Sequence, residues 1–270
     1  MLQDEPTSAP SSADIKRAQK VREKCGRFRI LTIGRANAGK TTVLQRICNT
    51  TEQPEIYDSK GVKIENSVVA PSAARGSHDI ENELVFRSNA GFIFHDSRGF
   101  EAGGATELDQ VKVFIEEHSK QKVLQDQVHA IWYCIPMDDS RPFTAAEKAF
   151  FSDCGTGRVP VIAIFTKFDA LDNKAYRTLI KENISRKDAR AQAPRRAVDD
   201  FEKSHLDDIY SRQYPPKGHV YLRDMNKPEA KCPELTAQTA AVLDGKVLQQ
   251  LFVSTQQNNL ELCIEYAVKQ

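Results

Sequence analysis

The chain has 270 residues, with 38 Lys and Arg against 37 Asp and Glu, a formal net charge of +1. Near-neutrality removes the usual electrostatic argument for a nucleic-acid binder, which needs a net basic domain or face, while leaving a local basic patch open. The longest apolar runs, residues 128–136 and 159–165, fall far short of a membrane span.

Residues 1–12 are rich in Ser, Pro and Ala and offer almost nothing to bury, so no fixed structure is expected there. With no apolar stretch in this segment, no signal peptide is expected, and the cytoplasm or nucleus is the expected location. Residues 13–24 could form a charged helical lead-in. We therefore read 1–26 as an N-terminal tail and 27–270 as a single folded unit. Residues 28–33 predict a short strand ended by Gly34, and 40–48 carry helical spacing in Val43, Leu44 and Ile47.

Residues 84–86 and 92–94 read as the two strands of a hairpin turning through Ser88-Asn89-Ala90-Gly91. Helices are expected at 108–123 and 143–151, and strands buried on both faces at 128–135 and 159–165. A brief strand is expected at 220–222, then closing helices at 235–252 and 260–268. Strands alternating with helices imply an α/β fold with a mostly parallel sheet covered on both faces, and the hairpin adds one antiparallel edge. The stretch 172–216 is heavily charged and poor in large apolar residues, and reads as a helical surface insertion. The six cysteines, at 25, 48, 134, 154, 232 and 263, show no C-x-x-C spacing and read as scattered reduced thiols, with Cys48 and Cys134 in the core.

The sharpest motif is Gly34-Arg35-Ala36-Asn37-Ala38-Gly39-Lys40-Thr41, which matches G-x-x-x-x-G-K-S/T. Its glycines allow backbone N–H groups to curl around a phosphate chain without Cβ clashes. Gly34, Ala36, Asn37, Ala38, Gly39, Lys40, Thr41 and Thr42 are the expected phosphate-binding residues. Lys40 would reach the β- and γ-phosphates, and Thr41 would offer a hydroxyl to Mg²⁺. The helix that begins there adds its positive end.

Two later signals choose the base and the switch. His95-Asp96-Ser97-Arg98-Gly99 follows an apolar strand downstream of this loop, placing Asp96 to hold Mg²⁺ through water and the Gly99 amide to sense the γ-phosphate. Thr166-Lys167-Phe168-Asp169 follows the second buried strand and fits N/T-K-x-D. A carboxylate at Asp169 can accept both the N1–H and the 2-amino hydrogens of guanine, whereas adenine would leave it desolvated and unpaired. The aliphatic stem of Lys167 can lie over the base.

On the phrases GRANAGKTT, FHDSRGFE and IFTKFD the chain resembles the P-loop GTPases of the translation-factor-related class. More narrowly it resembles Era/MnmE-like, AIG1-like and fungal G-domain proteins. The resemblance covers about 28–169 well and loosens beyond 170. It implies a three-layer P-loop NTPase fold, GTP or GDP with Mg²⁺, and a switch that engages a protein partner or a nucleotide-dependent dimer. Three departures stand out. Thr166 replaces the commoner Asn. Leu222-Arg223-Asp224 is only a positional substitute for a Ser-Ala-Lys element. Phe100 stands where Ras-type enzymes place the water-orienting glutamine.

The first switch is expected within 62–79. The family uses a Thr there to bind Mg²⁺; this segment has none, so Ser77 is the candidate and Ser72 the second choice. Arg75 and His78 flank Ser77 and could be either catalytic or solvated loop residues. Asn37 occupies a position that some Era/MnmE-like enzymes use to bind K⁺, and a simple brace of the loop is the alternative. Lys40, Ser77 and Gly99 are thus the catalytic candidates for slow GTP hydrolysis. A guanine-nucleotide-loaded interaction module that does not hydrolyse is the alternative function.

Overall fold

The computed structural model describes residues 26–64, 79–97 and 105–255. In chain order the strands are β1 (Phe28–Gly34), β2 (Glu55–Tyr57), β3 (Lys63–Ile64), β4 (Glu83–Phe86), β5 (Asn89–Asp96), β6 (Ala130–Pro136), β7 (Val161–Thr166) and β8 (Gly218–Tyr221). The helices are α1 (Lys40–Ile47), α2 (Ala105–Ser119), α3 (Ala145–Asp153), α4 (Asp169–Lys181), α5 (Arg186–Phe201), α6 (Asp207–Tyr210), α7 (Pro233–Val242) and α8 (Lys246–Thr255).

One eight-stranded sheet has the order β3-β2-β4-β5-β1-β6-β7-β8. From β5 through β8 neighbouring strands run parallel, while β4, β2 and β3 continue the other side as an antiparallel edge. Every residue of β6 and of β7 is buried, as strands covered on both faces must be. Their alternation divides the core. Leu31, Ile33, Ile131, Tyr133, Ile135, Ala163 and Phe165 face α2 to α6. Ile30, Ala130, Trp132, Cys134, Ile162 and Ile164 face α1, α7 and α8. The result is the expected three-layer α/β/α fold with a mostly parallel sheet and one antiparallel edge.

Several local expectations change. The hairpin turns through Arg87-Ser88, because Phe86 pairs with Asn89, so residues expected in the turn already belong to β5. The closing helix over 235–252 is two helices, α7 and α8, parted at Leu243-Asp244-Gly245, where Gly245 takes φ 91°. The β2–β3 hairpin was not expected at all. Its turn is closed by the Asp58 carboxylate, which accepts the N–H groups of Lys60 at 2.9 Å and Val62 at 2.8 Å. Its strands are tied by Glu55, which takes Lys63 and Arg87 at 2.6 Å and the Tyr57 hydroxyl at 2.7 Å.

The stretch 172–216 lies in the crossover from β7 to β8, and α4 starts at Asp169, ahead of it. Ser185 caps α5 by accepting the Asp188 N–H at 3.1 Å. Spaced four apart, Ala189, Ala193, Ala197 and Phe201 form a buried stripe within the main core. Small residues let α5 lie close to α4, while Leu179, Phe201 and Ile209 bury beside them, so this crossover supplies part of the main core. The expected tail at 1–26 and the expected helices at 13–24 and 260–268 lie outside the described residues, except for Gly26. Among the described residues no helix is long and apolar enough to cross a membrane.

Candidate functional site

All parallel strands end on the same side of the sheet, so Gly34, Asp96, Thr166 and the segment after Tyr221 come to one edge. The crevice outside the carboxyl ends of such strands is where open α/β sheets bind ligands. Side chains from β1, β5 and β7 meet there because the central strands pair in register over their last residues.

The phosphate loop begins where β1 runs under β6. At Gly34 φ is 151°, and a Cβ there would stand 2.4 Å from the Cys134 carbonyl oxygen, so only glycine fits. Burial pushes the neighbouring Cys134 thiol up to about 12 and keeps it protonated. The Ala38 N–H donates to the Arg35 carbonyl at 3.1 Å, and left-handed backbone at Asn37 (φ 61°) and Gly39 (φ 80°) curls the loop. Ala36 and Asn37 are exposed at its crest and Ala38 is buried beneath.

The helix α1 then starts with no side-chain cap from Gly39 and no acidic residue in its first turn. Its first intrahelical bond runs from the Val43 N–H to the Gly39 carbonyl at 3.0 Å, which leaves the N–H groups of Lys40, Thr41 and Thr42 to face an anion. The Lys40 ammonium donates to the carbonyls of Gly34 at 3.0 Å and Arg35 at 3.4 Å, and lies 3.8 Å from the Asp96 carboxylate. A cation therefore already spans the mouth of the loop.

Asp96 ends β5 opposite Thr32, and the Ser97 N–H continues the pairing to the Thr32 carbonyl at 3.0 Å. Beside Asp96, His95 is buried. Its Nδ1–H donates to the Ile80 carbonyl at 3.0 Å, and its Nε2 accepts from Arg29 at 3.1 Å. Burial, then the Arg29 charge, pulls the imidazole down to about 3. These contacts anchor the chain entering β4. Among the described residues no cluster of three or more His, Cys, Asp or Glu could hold a metal. Thr41 is exposed at the start of α1, and Asp96 ends β5 within 3.8 Å of the Lys40 ammonium.

The base loop follows β7. Its Thr166 hydroxyl is buried and donates to the Ala38 carbonyl at 2.8 Å, so Thr in place of Asn still braces the phosphate loop. Lys167 adopts φ 54° and pairs with Asp138 at 2.7 Å. The Asp169 carboxylate accepts the Asp224 N–H at 3.1 Å, which brings Leu222-Arg223-Asp224 alongside the base loop. Arg223 fixes that segment through a two-pronged pair with Asp172, at 2.7 and 3.1 Å, and lies 4.7 Å over the Phe168 ring.

Three residues at this edge escaped the sequence reading. Arg35, inside the phosphate motif, pairs with Asp139 at 3.1 Å, with the Pro142 carbonyl at 3.2 Å and with Glu147 at 2.9 Å. Asp138 holds Lys167. Only Glu147 left a trace in the sequence, because Thr144-x-x-Glu147 is a capping box. Ser77, Ser72, Arg75, His78, Arg98, Gly99 and Phe100 lie outside the described residues. The expected first switch, 62–79, is described only at its ends, and its first residues run into β3.

No family model and no curated protein matches this chain. Among solved structures it is similar to a septin GTPase domain from Chlamydomonas reinhardtii, at 17% identity and TM-score 0.37, over 82% of this chain and 71% of that one. It is also similar to a glycine-to-proline variant of SsGBP, at 14% identity and TM-score 0.38, over 90% of this chain and 65% of that one.

Proposed function

We propose that this chain binds a guanine nucleoside di- or triphosphate with Mg²⁺, hydrolyses GTP slowly to GDP, and acts as a nucleotide-dependent switch. The observation that carries the reading is the 2.8 Å bond from Thr166 to Ala38, which joins the loop bearing Asp169 to the loop bearing Lys40. A phosphate chain in the curled loop would take the N–H groups of Gly39 to Thr42 and the Lys40 ammonium, which exchanges two carbonyl contacts for phosphate oxygens. Asp169, aimed by the Asp224 N–H, would accept guanine N1–H and the 2-amino group. Lys167 would cover the base.

Thr41 and Asp96 would hold Mg²⁺, with Ser77 as the expected third contributor. When bound, the ion would supply positive charge to the phosphate chain. The protein's own part in γ-phosphoryl transfer to water would be positioning, by Lys40 on the phosphates, with the Gly99 amide expected to sense the γ-phosphate. Residues 62–79 and 97–106 are the segments through which GTP would engage a protein partner or a second copy.

Displacement of a fluorescent GDP by GTP, GDP and ATP tests the reading. GTP and GDP should compete and ATP should not; equal competition by ATP overturns it. Single-turnover hydrolysis separates the slow GTPase from a loaded module that does not hydrolyse. The finer likeness to Era/MnmE-like enzymes adds K⁺ at Asn37, whose exposed, left-handed place on the loop crest supports it. GTP turnover should then be faster in KCl than in NaCl at equal ionic strength, and Asn37→Ala should remove the difference.

A further inference from the structure

We propose that the Arg35–Glu147 ion pair is a positioning device for the phosphate loop, holding it in its binding shape from the far side of β6. This rests on the guanine-nucleotide reading for its ligand, but the contacts themselves do not. Glu147 is fully buried and Arg35 nearly so, at 0% and 13% side-chain exposure.

A capping-box glutamate needs one oxygen for its work. Here Oε2 accepts the Thr144 N–H at 2.7 Å and the Thr144 hydroxyl, which completes the cap of α3. The other oxygen, Oε1, lies 2.9 Å from Arg35 Nε as an ion pair that lacks hydrogen-bond alignment, so charge and not a directed bond holds the two together. Burying a carboxylate and a guanidinium together is costly, and capping alone gives no reason for it.

The remaining guanidinium nitrogens are also committed, Nη1 to Asp139 at 3.1 Å and Nη2 to the Pro142 carbonyl at 3.2 Å. Arg35 is therefore clamped by a carboxylate on α3 and by two groups of the loop before it. It has no freedom to act on a phosphate itself.

What the clamp fixes is the Arg35 backbone. The Arg35 carbonyl accepts the Ala38 N–H at 3.1 Å, closing the turn of the phosphate loop, and it also accepts Lys40 at 3.4 Å. Holding the Arg35 side chain thus holds the carbonyl that shapes the loop and parks its lysine. A loop already ordered loses less freedom when ligand arrives, and that saving appears as affinity. The same segment before α3 carries Asp138, the partner of Lys167, so it touches both the phosphate and the base loops.

The test is Glu147→Gln, which keeps an acceptor for the cap and removes the charge. GDP affinity should fall by about tenfold, the size of coupling seen between residues in direct contact. GMP, which lacks the β-phosphate that the loop encloses, should bind about as well as to wild type in a competition assay. In the nucleotide-free protein, amide exchange at Ala38 should quicken. Equal loss for GDP and GMP, or no change in either, with Ala38 exchange unchanged, overturns the proposal and leaves Glu147 as a helix cap. If wild type binds no guanine nucleotide, the functional reading fails, while the Ala38 exchange still decides the clamp. Should Glu147→Gln not fold, Arg35→Lys reads the same exchange, because lysine keeps the charge and loses the fork.

Discussion

The phosphate loop and the base loop stand side by side at the carboxyl end of the sheet, yet they are built by opposite means. The phosphate loop is mostly backbone: a glycine forced by the Cys134 carbonyl, left-handed residues at 37 and 39, and the open start of α1. The base loop is mostly side chain: Thr166 to Ala38, Lys167 to Asp138, and Asp169 to the Asp224 N–H. On the proposed reading, phosphates are alike in every nucleotide, so a cradle of peptide N–H groups would suffice for them. Bases differ in where they donate and accept, so the second loop would have to present a chosen carboxylate at a fixed angle.

That contrast predicts unequal responses to mutation. The largest effect should come from the base loop. Asp169→Asn should invert preference from guanosine toward xanthosine nucleotides, because xanthine replaces the 2-amino donor with a carbonyl that an amide NH₂ can serve. A site built on such hydrogen bonds discriminates on the order of 10⁴-fold. Competition between GDP and XDP measures it, and an unchanged ratio would remove Asp169 from base recognition.

Next in size is Lys40→Ala, which should weaken GDP and GTP alike on the order of 100-fold, the loss of charge-assisted hydrogen bonds. The folded protein should keep its far-ultraviolet circular dichroism, since Lys40 serves loop carbonyls and not the core. A folded variant that binds as tightly as wild type would rule the loop out as the phosphate site.

Gly34→Ala attacks the backbone design itself. A Cβ 2.4 Å from a carbonyl oxygen must push β1 from β6. The cost should be about 2 kcal/mol, lowering the melting temperature by roughly 4–8 °C. Thermal unfolding within a degree of wild type would mean that the loop relaxes freely.

The smallest effect should come from the bond that joins the two loops. Thr166→Val leaves the Ala38 carbonyl without its donor in a buried position, at a cost of about 1 kcal/mol. Denaturant titration should detect that loss, and GDP affinity should drop a few-fold because both loops lose the shared brace. Loss of stability with GDP affinity intact would show the loops to be independent.

The two loops were also unequally legible. The phosphate loop was readable because its conformation depends on local residue types: glycine where Cβ cannot fit, and a helix starting at once. The base loop was readable as a motif and the sequence singled out Leu222-Arg223-Asp224 as well, but the contacts that its side chains make were not readable. Asp138 and Asp224 lie 29 and 55 residues from the side chains that they meet. Nothing in the spacing of Thr166-Lys167-Phe168-Asp169 points to either. The β2–β3 hairpin was missed for another reason. Strands of three and two residues are too short for alternation to register, and a cross-strand cluster around Glu55 holds them together.

By itself the sequence determined the layered α/β fold, since apolar runs and glycine positions act over a few neighbours. Only the tertiary structure decided how these parts hold one another. It buried Glu147 against Arg35 at 2.9 Å and set Thr166 on Ala38 across 128 residues. It also set the alanine stripe of α5 beside Leu179, Phe201 and Ile209 in one core under the crossover after β7. The physical reason is common to all three. A buried charge, hydroxyl or helix face is stable only against a complementary group, and the chain can bring that group from any distance once the sheet has fixed where its strands end.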